Sequence, residues 1–201
     1  MGTACAPVRR RHVLALATLP LLAACERGSS GSFQSIDVSD ATWGRDFRLF
    51  DADGRQVTLA DFRGRCVMLF FGFTQCPDVC PTALARAADV MQRLGPQADR
   101  LQVIFVTVDP ERDTPEVMRE YPRAFHPSFM GLRADLATTE ATAREFKVYY
   151  RKVPTGSSYT MDHTATSYVF DPAGRLRLAV RHEQDAASVT ADIQRLLQEN
   201  R

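Results

Sequence analysis

The sequence predicts an α/β domain with a central mixed sheet flanked by helices. Three observations predict it. Val67, Met68, Leu69, Phe70 and Phe71 form an unbroken bulky apolar run of strand length. No polar alternation interrupts it, as expected for a central strand buried on both faces. A polar turn and an alanine-rich stretch of helical character follow, and a second apolar run at 101–108 completes a strand–helix–strand unit. The chain closes on an amphipathic stretch at 186–197.

The elements follow in order along the 201 residues. Arg9, Arg10 and Arg11 precede an apolar run at 13–24. That run falls short of the ~20 residues needed to span a bilayer and reads as an export signal. It ends in Leu22-Ala23-Ala24-Cys25, which resembles a bacterial lipobox. Residues 1–24 are therefore expected to be a lipoprotein-type signal peptide, with Cys25 the lipid-bearing first residue of the mature chain. Residues 25–42, with Gly28-Ser29-Ser30-Gly31-Ser32, read as a flexible tether. The domain proper is expected at 43–201.

Within it, residues 47–50 and 56–59 flank Asp51-Ala52-Asp53-Gly54, an N-terminal β-hairpin. The helix after the central strand is ended near Leu94 by Gly95-Pro96. The strand at 101–108 runs into a charged loop at 109–113. Thr114, Pro115 and Glu116 then supply a cap, a first-turn proline and a first-turn acid for a helix ending before His126-Pro127. A helix at 138–146 feeds a strand at 148–151. Residues 153–163, containing Pro154, Gly156 and two serines, read as a loop. Strands at 166–170 and 176–180 form a hairpin around Asp171-Pro172-Ala173-Gly174. This order fits a thioredoxin-like sheet.

The formal net charge is +1, and losing three arginines and no acid with residues 1–24 changes it to −2. A near-neutral domain has no general electrostatic reason to hold nucleic acid. Of the five cysteines, Cys5 leaves with the signal and Cys25 carries lipid. Cys66 opens the apolar strand and reads as a small buried hydrophobe. Cys76 and Cys80 are able to pair in an oxidising compartment.

Those two cysteines are the centre of the chain's chemistry. Pro81 belongs in a first helical turn, so Cys80 lies at or just before a helix N-terminus and Cys76 in the loop ahead of it. Backbone N–H groups and the helix dipole stabilise thiolates there. Open α/β sheets place their sites at this carboxyl edge. His126 and His182 read as surface residues. Asp109, Glu111, Arg112 and Asp113 form either a docking surface or a solvated loop with capping duties. Lys147, Arg151 and Lys152, interleaved with Tyr149 and Tyr150, form either a partner-facing edge or ordinary sheet packing.

Phe70-Phe71-Gly72-Phe73-Thr74 followed by Cys76-Pro77-Asp78-Val79-Cys80-Pro81-Thr82 resembles the signature of the Sco/SenC family, copper chaperones of cytochrome c oxidase assembly. Val108-Asp109-Pro110-Glu111-Arg112-Asp113-Thr114-Pro115 is similar too, as is Asp162-His163-Thr164-Ala165 with Tyr168 and Asp171-Pro172. The matches run in order over about residues 44–198. Gln75 departs from the residue common in the family, at a position that is not a ligand. The resemblance implies a thioredoxin-like fold with an inserted helix and strand, and copper, as Cu(I) and/or Cu(II), held by Cys76, Cys80 and His163. Two thiolates and an imidazole form a soft three-donor set that suits Cu(I), whereas structural zinc usually takes four protein ligands. Asp162 either orients the His163 ring or caps its loop. The implied partner is the copper-bearing subunit of a cytochrome c oxidase or a periplasmic copper carrier, met by a lipoprotein tethered to the membrane on the periplasmic side. A rival reading needs only Cys76 and Cys80: a thiol–disulfide oxidoreductase that reduces the cysteines of the oxidase copper site or of a copper carrier. Its usual C-x-x-C is one residue shorter than the spacing here.

Overall fold

The computed structural model describes residues 1–4 and 32–200. The expected signal peptide, the Cys25 anchor and the first part of the tether fall largely outside the described residues. Among the described residues, ten strands and four helices follow in the order β1 (Ile36–Asp37), β2 (Leu49–Phe50), β3 (Gln56–Val57), β4 (Cys66–Gly72), α1 (Val79–Leu94), β5 (Leu101–Thr107), α2 (Pro115–Arg123), β6 (Met130–Leu132), α3 (Leu136–Glu145), β7 (Tyr150–Thr155), β8 (Ser158–His163), β9 (Ser167–Phe170), β10 (Leu176–Val180) and α4 (Ala186–Glu199). No helix among them is long and apolar enough to cross a membrane.

Every residue of β4 and of β5 is buried, as their dominantly apolar sequences favour, and β5 buries Gln102 and Thr107 as well. The two strands pair in parallel from Cys66↔Leu101 to Gly72↔Thr107, with α1 as the crossover. On its other side β4 pairs antiparallel with β9. The six-stranded mixed sheet has the order β1-β10-β9-β4-β5-β6, and with its flanking helices it is a thioredoxin-like fold. The N-terminal hairpin is present as β2 and β3.

Side-chain oxygens set the helix starts. Thr114, Asp135 and Asp185 accept from the N–H groups of Val117, Thr138 and Ser188 at the starts of α2, α3 and α4. α1 stops at Gly95, whose φ of 53° suits a residue without a Cβ. Side chains alternate across β4, so Phe70 and Phe71 face opposite ways. Phe71 packs on the fully buried Phe146 with ring centroids 5.3 Å apart, and Phe70 lies on the cysteine side.

Two boundaries differ from the sequence reading. The packed chain begins before Trp43: Ile36 pairs with Ala179, and the Asp192 carboxylate accepts from the N–H groups of Gln34 and Ser35 at 2.9 and 2.7 Å. Residues 33–42 are thus part of the domain rather than tether. Their strand is two residues long and exposed, too short to show a period, and its anchor is a buried acid on a distant helix. Residues 153–163 are not a loop either. They belong mostly to the antiparallel β7–β8 hairpin, which turns at Gly156 with φ of 60°. Pro154 is tolerated because this ribbon consists of two edge strands. The three-residue β6, parallel to β5, also carried too little sequence pattern to be read.

Candidate metal centre

β4 ends at Gly72, and the next six residues carry Cys76 to the start of α1. Cys80 lies in the first turn of that helix and is fully buried, while Cys76 is half-buried. The Cys76 N–H donates to the Phe73 carbonyl at 3.2 Å, closing the loop. The Cys80 N–H donates to the Cys76 sulfur at 3.4 Å, the helix-terminus donation expected to favour a thiolate. Gly72 makes room for this arrangement. A Cβ there would sit 2.6 Å from Cys80 Sγ and 2.8 Å from the Phe105 ring.

His163 ends β8, with its Nε2 3.4 Å from Cys80 Sγ. Its Nδ1 lies 3.0 Å from the Thr164 carbonyl oxygen. A carbonyl only accepts, so Nδ1 carries the proton and Nε2 turns a lone pair toward the sulfurs. Phe70 and Phe73 meet the imidazole edge-on at 6.0 and 5.8 Å, walling it in. The structure therefore brings together the three residues expected to act as ligands: both sulfurs and the histidine nitrogen lie within 4.8 Å of one another.

The two thiols are pushed apart in acidity. Hydrogen bonding from the Cys80 side chain, helped by the backbone N–H groups of Asp78 and Cys80, holds Cys76 well below the ordinary thiol range, with burial opposing. Burial drives Cys80 upward, and the hydrogen bond to Cys76 adds to that rise. Metal–sulfur and metal–nitrogen bonds run at about 2.3 and 2.0 Å, so donors 3.4 Å apart fit one ion. Among the described residues no fourth His, Cys, Asp or Glu joins the cluster.

Other expectations resolve differently. Asp162 does not orient the imidazole. It alternates to the outer face of β8 and pairs with its cross-strand neighbour Arg151 at 3.0 Å, while the Thr164 carbonyl takes the ring N–H. The 109–113 loop is not simply a solvated one, for Asp109 and Asp113 are 1% and 0% exposed. Asp113 accepts from Thr107 Oγ1, from Thr74 Oγ1 and from the Thr74 N–H, fixing the chain two residues before Cys76. Arg151 and Lys152 form ion pairs with Asp162 and Glu111, and Lys147 lies over the Trp43 ring. Cys66 is fully buried, as expected of a small hydrophobe. His126 binds Ser128 through Nδ1. His182 is only partly exposed, and its Nδ1 is buried without a protein partner.

Residues 37–198 match the SCO1/SenC family model. The chain belongs to the SCO1/SenC family. Its similarity to the family extends to the mitochondrial SCO2 homolog of Bos taurus, 36% identical over 183 residues, covering 89% of this chain and 69% of that one. The mitochondrial SCO2 homolog of Homo sapiens is 35% identical, over 75% of this chain and 58% of its own length. Among solved structures in the family, that of Bradyrhizobium japonicum ScoI with copper bound is 40% identical, with a TM-score of 0.70 over 78% of this chain and 99% of that one. Yeast Sco1 with copper bound is 31% identical, with a TM-score of 0.69 over 77% of this chain and 87% of that one.

Proposed function

We propose that this protein is a copper metallochaperone that holds copper through Cys76, Cys80 and His163 and delivers it for assembly of a cytochrome c oxidase copper centre. One observation carries the reading: two sulfurs and the Nε2 of a tautomer-fixed histidine converge, with no fourth donor among the described residues. Two soft thiolates and one imidazole favour Cu(I), and a three-donor set leaves room for an incoming fourth donor. Family membership and the copper-bound relatives support the choice of metal. The client is the copper-bearing subunit of the oxidase or a periplasmic copper carrier. The chain works outside the cytoplasm, tethered to the membrane by lipid on Cys25.

Delivery proceeds by ligand exchange. Cys76 and His163 are partly exposed and Cys80 is buried. A client thiolate or imidazole therefore displaces Cys76 and His163 first and Cys80 last. Each step exchanges one donor for another and leaves the oxidation state unchanged.

The reductase reading keeps one specific support. Hydrogen bonding from Cys80 lowers the Cys76 thiol while burial raises that of Cys80, the asymmetry in acidity that a dithiol reductant uses. His163 separates the two, because a dithiol can cycle without it. Cells carrying His163→Ala at matched protein level should lose oxidase activity at low copper, as should Cys76→Ser and Cys80→Ser cells. Near-normal activity with His163→Ala, and none with either cysteine variant, would favour the reductase.

A further inference from the structure

The hairpin that carries His163 belongs to a sheet of its own. β7 and β8 pair with each other, outside the ladder of the six-stranded sheet. An isolated two-stranded ribbon is marginal in water, so other contacts must hold this one against the body. Alternation along β8 turns Tyr159, Met161 and His163 to one face. Met161 is buried in the core, and the Tyr149–Thr164 pair fixes the base. Further out, Lys152 pairs with Glu111, and the most connected contact is made by Arg112.

The Arg112 guanidinium joins three segments at once. Its Nη1 donates to the Tyr159 carbonyl at 2.7 Å and to Gln75 Oε1, beside Cys76, at 3.0 Å. Its Nε donates to Asp109 Oδ2, and the Tyr159 hydroxyl donates to Asp109 Oδ1 at 2.9 Å. The Tyr159 ring lies 3.7 Å beneath the guanidinium carbon. The platform below is fixed: Arg133 donates to the carbonyls of Asp113 and Pro110 at 3.1 and 2.9 Å. A planar fork with five donors can serve all these partners, and an ammonium cannot.

We propose that Arg112 is a positioning residue that, with Asp109 and Tyr159, latches the His163 hairpin onto the cysteine loop and so sets whether the imidazole reaches the sulfurs. Its importance for the metal rests on the copper reading above. The latch itself does not. Released, the hairpin leaves Cys76 and Cys80 able to take up Cu(I) but removes the nitrogen donor that most favours Cu(II).

The test compares wild type with Arg112→Gln, Arg112→Lys and Tyr159→Phe in the reduced protein. Amide hydrogen exchange without metal reads the latch directly. Both Arg112 variants should exchange at least about 10-fold faster through 150–163, with β4 and β5 unchanged. Tyr159→Phe, which loses only the hydroxyl bond, should show a smaller increase. In copper titrations Cu(II) affinity should fall roughly 10–100-fold, as for other residues that position ligands, with Cu(I) uptake largely kept. Unchanged exchange in both Arg112 variants, or faster exchange spread evenly over the molecule, would overturn the proposal. If wild type bound no copper while the hairpin alone loosened, the copper reading would fail and the latch would stand.

Discussion

Replacing Cys80 by Ser should deprive the reduced protein of stoichiometric Cu(I) capture. Cys80 supplies the buried sulfur, 3.4 Å from the His163 nitrogen and fixed in the first turn of α1. A hydroxyl is a hard, neutral donor in place of a soft one. Residues that merely position ligands are worth roughly 10–100-fold in metal affinity, so loss of a ligand should exceed about 100-fold. The fold should survive, because Ser is slightly smaller and has Cys76 and His163 as hydrogen-bond partners. Cys66→Ala is the control. Burial pushes the Cys66 thiol up to about 12, which keeps it protonated and inert. Anaerobic competition against a Cu(I) chelator measures both. Copper retained by Cys80→Ser but lost from Cys66→Ala would mean that the ligands are misassigned.

Phe146→Ala should produce the largest loss of stability without touching the site. Phe146 is fully buried and meets Phe71, Tyr168 and Phe170 at 5.3, 5.9 and 6.1 Å. Removing a buried Phe side chain costs about 3–5 kcal/mol, because the surroundings close the cavity only in part. For a domain of this size that corresponds to a fall of roughly 6–20 °C in Tm. It also consumes a large part of the 5–15 kcal/mol typical of total stability. The ring packs on the face of β4 away from the cysteines, so the folded fraction should still bind one copper. Calorimetry with parallel titration checks both halves. A change in Tm below about 2 °C would mean that the ring is not a core support, and lost copper binding in folded protein would mean that the two faces are coupled.

The central strand, its helix and both cysteines were legible because several local signals agreed there: an apolar run, a first-turn proline and a terminating glycine. The histidine could be named only through its motif, since no spacing links it to Cys80, 83 positions away, or to the still more distant Cys76. What the sequence concealed was the direction of side chains. Asp162 is adjacent to His163 in the chain but lies on the opposite face of the strand. Pro154 and Gly156 disguised the hairpin as a loop. Residues 109–113 read as charged and therefore wet, yet two of their acids are buried against hydroxyls, a guanidinium and the Thr74 N–H. Burial of a charge depends on partners brought in from elsewhere: Thr74 lies 39 residues from Asp113 and Tyr159 lies 50 residues from Asp109.

Coordination of copper by Cys76, Cys80 and His163 together is most directly tested by copper K-edge X-ray absorption on the reduced protein loaded anaerobically with one equivalent of Cu(I). The expected spectrum fits two sulfurs and one imidazole nitrogen, and the nitrogen contribution should vanish in His163→Ala. Sulfur-only coordination in wild type, or a nitrogen contribution that survives His163→Ala, would contradict it.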